Sequence, residues 1–117
     1  MTPLPSYVNE AFRRIQVGEV TGSHASGVFN KAANGFEKLF RNYFHTVTGK
    51  TPGTLTLGQL IHELENLPSP ASAQLTPITA DAKIVNRPWR QVKHGAEPPI
   101  RDLLDGLAAM QRVLPHL

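Results

Sequence analysis

The sequence contains no cysteine among its 117 residues, and this absence removes several classes of function. Without a thiol there is no disulfide, no cysteine nucleophile and no cysteine-ligated zinc or iron–sulfur site. The five histidines are scattered along the chain without a recognisable ligand spacing. We therefore expect no metal and no other cofactor, and a location in the reducing cytoplasm.

Long apolar runs are also missing. No stretch of about 18 consecutive apolar residues exists, as a membrane-spanning helix would need. The opening MTPLPSYVNEAFRRI lacks the basic region and apolar segment of a secretory signal. We expect no membrane association. A hydrophobic content of 40% over 117 residues instead predicts one folded domain, residues 1–117.

Apolar residues recur at helical spacing along the whole chain. A first helix is expected to open at Ser6 and to end near Gly18. A second is expected to open at Ser23 or Ser26 and to end at Gly49. The apolar seam of this second helix steps alternately by four and three residues, as in a packed bundle, through Phe29, Ala33, Phe36, Phe40, Tyr43 and Val47.

Three further helices complete the pattern. The third covers 57–67 and is followed by a loop-like stretch, 68–74. The fourth is expected to begin with Thr76 as its cap and Pro77 as its first residue, and the fifth covers 100–114. No segment alternates with period two. The sequence therefore predicts an all-α fold, an up-and-down bundle of four or five helices.

Two familiar motifs are present only in part. TGKT, residues 48–51, ends like a phosphate-binding P-loop, but the first glycine of that motif would fall at Phe44. HELEN, residues 62–66, begins like the zinc helix of a metalloprotease, but Asn66 stands where the second histidine is required. We assign no function to either motif.

The stretch NRPWRQVKHG, residues 86–95, is the most chemically loaded part of the chain. On a helix, spacings of three, four and seven residues return side chains to one face. Lys83, Arg87, Arg90 and His94 therefore form a cationic stripe, on the side of the fourth helix opposite its apolar seam. We name these four residues the cationic stripe.

Such a stripe allows two interpretations. Arginine binds phosphate bidentately, and a neighbouring histidine exchanges protons near neutral pH, which together suffice for RNA cleavage without a metal. Alternatively the stripe is a solvated face, on which Lys93 and His94 complement the negative end of the helix dipole. Pro88 is expected to bend the helix, either tilting Arg87 relative to His94 or marking the junction of two short helices.

Three segments in sequence order resemble the HEPN superfamily, small all-α domains of prokaryotic toxin–antitoxin, abortive-infection and other defence systems. They are GFEKLFRNYFH, LTLGQLIHEL and NRPWRQVKHG. The catalytic signature of that superfamily is an arginine, four to six further residues and a histidine. Arg87 and His94 match it with six residues between them. Pro88 takes the place of the usual polar residue, and Arg90 lies only three residues before His94.

The resemblance implies an RNA-directed HEPN-like domain that acts as a metal-independent endoribonuclease. It implies a homodimer that brings two arginine–histidine motifs together. Arg87 and Arg90 would hold phosphate and His94 would transfer protons, with Lys83 and Asn86 in support.

The second helix carries a further candidate group. Glu37, Arg41 and His45 are spaced by four and share one face. The resemblance implies that they complete or orient the site. The simpler interpretation is an intrahelical ion pair, worth a few tenths of a kcal/mol, flanked by His45.

Two other functions stay open. A non-catalytic HEPN-like module would use the same face to dimerise or to dock a partner protein such as an antitoxin, and Pro88 favours this possibility. An unrelated helical DNA-binding domain would also suit a net charge of +3. No helix-turn-helix with a short glycine turn is recognisable, which counts against it.

Overall fold

The helical periodicity of the sequence appears as five α-helices in a computed structural model, which describes residues 3–117. The helices are α1 (Leu4–Gln16), α2 (Gly22–Thr48), α3 (Leu57–Glu65), α4 (Ala71–Lys93) and α5 (Ile100–Val113), followed by a 3₁₀ turn, Leu114–His116. Residues 3–117 form no strand. The predicted all-α bundle is therefore confirmed. No helix in this part of the chain has both the length and the apolar character needed to cross a bilayer.

Helix α2 lies at the centre of the bundle and contacts each of the other four helices. Its apolar stripe is completely buried at Phe29, Phe36, Phe40 and Phe44. Burying a side chain of this size contributes about 1.5–3 kcal/mol relative to leaving it exposed. These four rings therefore supply a large part of the driving force that assembles the bundle around α2.

The predicted seam of α2 is correct as far as Phe40 and wrong beyond it. Phe44 is fully buried, whereas Tyr43 is only partly buried and Val47 is 39% exposed. A step of four residues turns the buried face by about 40° on a helix of 3.6 residues per turn. The buried face of α2 thus rotates around the helix, instead of following the straight seam that alternating steps would give.

Three predicted helix starts lie too late in the chain. Helix α1 begins at Leu4, not after Ser6, and α2 begins after Thr21, before either predicted serine. Helix α4 begins at Ala71 and contains most of the stretch expected as a loop. Proline at position 77 lies inside α4, because burial of Leu75 and Ile78 in the core extends the helix toward its N-terminus.

The predicted helix ends at glycine are confirmed. Gly49 adopts a left-handed conformation with φ of 72° directly after α2, and Gly95 does so with φ of 82° just past the end of α4. Side chains other than glycine rarely adopt this conformation. Each glycine therefore ends its helix and redirects the chain.

Helix α4 continues through Pro88 without a break. Pro88 is buried where α4 faces Gly106 of α5, and Trp89 is only 2% exposed. Of the two consequences considered for Pro88, the junction of two short helices is therefore wrong. A proline inside a helix removes one backbone hydrogen bond, and burial of its ring and of the adjacent indole opposes that cost.

Gly106 of α5 lies against residues of both α2 and α4. A Cβ atom at this position would lie 2.8 Å from Cε2 of Phe29 and 3.2 Å from Cγ of Pro88. Gly27, in the exposed part of α2, has no atom within 4 Å of the same position. Gly106 is therefore required by helix packing, whereas Gly27 is not, and the two positions serve as a test and its control.

We predict that Gly106→Ala lowers the free energy of unfolding by about 1–3 kcal/mol, because the added methyl group overpacks the core. Gly27→Ala should instead raise it by about 0.5–1 kcal/mol, because alanine is the better helix former. Urea denaturation followed by circular dichroism measures both. Equal stability of the two variants would contradict the packing described at Gly106.

Candidate functional site

A groove of about 880 Å³ lies between α3 and α4. This volume is within the range of about 300–1,000 Å³ that is typical of ligand sites. All four residues of the cationic stripe line it, and so does Asn86. The predicted α4 residues therefore lie together in one concave site, and α3 supplies the opposite wall.

The position of α3 follows from its N-terminal turn. Thr56 and Gln59 form a capping box, in which the Thr56 side chain accepts from the Gln59 backbone N–H at 3.2 Å. Reciprocally, the Gln59 side chain accepts from the Thr56 backbone N–H at 2.8 Å. Gly58 then faces α4, and a Cβ atom there would lie 3.0 Å from Nδ2 of Asn86. The absence of a side chain at Gly58 allows the two helices to approach at this point.

The apolar and polar faces of α3 divide cleanly. Its four core residues, Leu57, Leu60, Ile61 and Leu64, are buried. Gln59, His62 and Glu63 occupy the other face at spacings of three and four residues, and all three line the groove. Burial of one face therefore aims the other at α4.

Arg87 and Arg90 are exposed and make no ion pair or side-chain hydrogen bond within residues 3–117. Most other cations of the chain lie within 4 Å of a carboxylate: Arg13, Arg14, Arg41, Lys50, Lys83, Lys93 and Arg112. The two arginines thus carry charge and hydrogen-bond donors that the described chain does not use.

The two carboxylates of the groove are already paired. Glu63 lies 3.7 Å from Nζ of Lys50, and Glu65 pairs with Lys83 of the cationic stripe. Pairing reduces the negative field of the α3 wall. The uncompensated charge in the groove is therefore positive. It comes from Arg87 and Arg90, which have no carboxylate partner within the described chain, and in part from Lys93, which shares Glu37 with Arg41.

The unbroken helix sets the spacing along the stripe. With a rise of about 1.5 Å per residue, Arg90 lies about 6 Å from His94 along the axis and Arg87 about 10 Å from it. Arg90 is therefore one turn from His94, and Arg87 is two turns away. The His94 side chain has no hydrogen-bond partner among residues 3–117 and is exposed at the C-terminal cap of α4.

Glu37, Arg41 and His45 do not line the groove. Glu37 accepts a hydrogen bond from the Trp89 indole at 3.2 Å and lies 3.8 Å from Nζ of Lys93. Arg41 donates to the backbone carbonyls of Gly53 and Leu55. The first two residues therefore connect α2 to α4 and to the loop before α3.

His45 contacts the other end of the same loop, the end that follows α2. Nδ1 of His45 lies 3.0 Å from the carbonyl oxygen of Lys50, immediately after α2. Glu37 and Arg41 also pair with each other at 3.6 Å, as the simpler interpretation expects. The contacts of all three residues therefore hold α4 and the loop before α3 in place, and none of the three side chains lines the groove.

Trp89 is held in place on the far side of α4. Its ring is buried and lies 5.0 Å below Nζ of Lys93, a cation–π contact. Lys93 itself lines the groove. Because the indole does not face solvent, it offers no platform on which a base could stack.

His62 is one of the α3 groove residues that were not predicted from the sequence, with Gln59, Glu63 and Glu65. It belongs to the HELEN segment, whose missing second histidine excluded it as a zinc motif. The polar repeat at positions 59, 62 and 63, opposite the apolar face of α3, was the available signal. No three histidine or acidic side chains within residues 3–117 come together as a metal-binding group.

Neither a scan of protein-family models nor searches of curated proteins and of solved structures found a match for the chain. The resemblance to the HEPN superfamily stays an expectation. The function has therefore to be inferred from the groove itself.

We predict that Glu37→Leu lowers the free energy of unfolding by about 1–3 kcal/mol, because it leaves the buried Trp89 indole N–H without an acceptor. Glu37→Gln keeps an acceptor and should cost less. Urea denaturation measures both.

The matched control is Glu63→Gln, which breaks the exposed pair with Lys50 and should cost at most about 1 kcal/mol. If Glu37→Leu were no more destabilising than this control, Glu37 would not be holding α4 against α2.

Proposed function

We propose that the protein acts on RNA, binding the phosphate backbone of a single strand in the groove between α3 and α4 and cleaving it without a metal ion. The observation that carries the proposal is the pair of unpaired arginines, Arg87 and Arg90, in one groove with His94. Guanidinium groups stay charged at any working pH and bind phosphate through two parallel hydrogen bonds.

The cleavage step needs only a phosphodiester with a neighbouring 2′-hydroxyl. The 2′-oxygen attacks phosphorus, and the bond from phosphorus to the 5′-oxygen breaks. The proton of the hydroxyl passes to the free imidazole of His94, which can return a proton to the departing oxygen. Arg90, one turn away, stabilises the charge that develops on the phosphoryl oxygens. The products are a 2′,3′-cyclic phosphate and a 5′-hydroxyl.

The resemblance to HEPN domains supplies the wider context of the proposal. A homodimer would place two such grooves together, and a partner protein such as an antitoxin would control access to them. The RNA would be met in the cytoplasm, the location expected for a chain without cysteine.

One observation favours the non-catalytic alternative. On the unbroken α4, Arg87 and His94, which match the spacing of the HEPN signature, lie about 10 Å apart along the axis. Within one chain, Arg87 and His94 therefore do not lie on adjacent turns from which both side chains could reach the same phosphate. A module that only dimerises or docks a partner would retain the charged face without needing such convergence.

We predict that His94→Ala lowers the rate of single-stranded RNA cleavage about 10²–10⁴-fold in the presence of EDTA, while RNA binding persists, because a proton-transferring group is lost. Arg90→Ala should reduce cleavage more than Arg87→Ala, because Arg90 is nearer to His94. Gel analysis of end-labelled RNA and fluorescence anisotropy measure the two properties.

Arg101→Ala is the matched control, since Arg101 is an exposed arginine that does not line the groove. Binding lost equally in Arg101→Ala and Arg90→Ala would show that the groove is not the site. Wild-type protein that leaves RNA intact, yet still pairs with itself or binds a partner protein through the face that carries Arg87 and Arg90, would favour the non-catalytic module.

A further inference from the structure

We infer that His62 is a second phosphate-binding residue, whose imidazole donates a hydrogen bond from Nδ1 on the α3 wall of the groove. The inference rests on the proposed function and deepens it. It assigns the ligand class, a phosphodiester held between two helices, and it gives the two histidines of the groove different tasks.

The tautomer of His62 follows from its contacts with Asn66. The Nδ2 atom of Asn66 lies 2.9 Å from the carbonyl oxygen of His62 and 3.0 Å from Nε2 of the imidazole. An atom that close to a carbonyl oxygen must be the amide nitrogen, because two acceptors would repel each other. That nitrogen is a donor only, so Nε2 accepts and the ring hydrogen lies on Nδ1.

The Nδ1–H group has no acceptor within residues 3–117. The charged groups that line the same groove are Glu63, Glu65, Lys83, Arg87, Arg90 and Lys93. Both carboxylates are paired with lysines, and neither accepts from His62. A donor on α3 therefore lines the same groove as two unpaired guanidinium groups on α4.

An anion with several acceptor oxygens satisfies all three groups at once. A phosphodiester offers two non-bridging oxygens, and the paired carboxylates do not repel it as free ones would. The Asn66 contact occupies the lone pair that a proton-transferring imidazole would use. His62 thus holds and orients the phosphate, while His94, whose ring is free, exchanges protons.

Two isosteric substitutions separate this role from a merely structural one. The side-chain nitrogen of asparagine lies close to the position of Nδ1 in histidine, and that of glutamine lies close to the position of Nε2. His62→Asn therefore keeps the inferred donor, whereas His62→Gln and His62→Ala remove it. Position 62 is exposed, so all three variants should fold, and thermal melting checks that they do.

The test uses a 2′-O-methylated single strand, which cannot be cleaved at its 2′-oxygen, and measures its Kd by fluorescence anisotropy. His62→Ala and His62→Gln should weaken binding roughly five- to tenfold, and His62→Asn should stay within about twofold of wild type. With cleavable RNA, the pH dependence of the rate should keep its shape in His62→Ala and lose a limb in His94→Ala.

Results other than these would overturn either the inference about His62 alone or the proposed function as well. Equal weakening in His62→Asn and His62→Ala would overturn the inference, as would a pH profile altered by His62→Ala. Wild-type affinity in His62→Ala together with weak binding in Arg90→Ala would overturn it while the proposed function stands. A wild-type protein that does not bind the probe would end both.

Discussion

Val85, Pro88 and Trp89 are buried on one face of α4. Their burial fixes the rotation of α4, and the groove depends on that rotation. Pro88 is packed where Gly106 of α5 leaves room, and the Trp89 indole donates to Glu37 of α2. These contacts hold one face of α4 against two helices, so the opposite face, which carries the cationic stripe, is directed to the groove. A helix free to rotate would disperse the same charges into solvent.

The electrostatics of the groove depend on which charges are already paired. Lysines pair with the two carboxylates of α3 that line the groove. Glu37 on α2 pairs with Arg41 and with Lys93, which lines the groove. Pairs of this kind at a surface contribute little to stability. Their consequence is that two guanidinium groups of α4 are left without a partner in the described part of the chain, in the same groove as the His62 imidazole.

Much of the fold follows from local patterns in the sequence. Helical periodicity predicts the all-α class, and the glycines at positions 49 and 95 predict two helix ends. The face of α4 that lines the groove follows from the spacing of Lys83, Arg87, Arg90 and His94. These features depend on residues within a few turns of one another. Local spacing is enough to place them.

What the sequence could not show depends on contacts between distant segments. Phe44 replaces Tyr43 in the core because the neighbours of α2 decide which side of its stripe is covered. The early start of α4 depends on burial of Leu75 and Ile78 and overrides the tendency of Pro77 to open a helix. His62 joins the groove only because Gly58 and Asn86 allow α3 to approach α4. The polar repeat of α3 marks His62 as part of its polar face but does not show which helix that face meets.

The central claim is that Arg87 and Arg90 together bind the phosphate backbone, and the salt dependence of RNA binding tests it most directly. For single strands, the slope of log Kobs against log salt concentration changes by about 0.7 for each phosphate contact. We predict that Arg87→Ala/Arg90→Ala makes the slope shallower by about 1.4, whereas Arg101→Ala leaves it unchanged. A double variant with the wild-type slope would contradict the account.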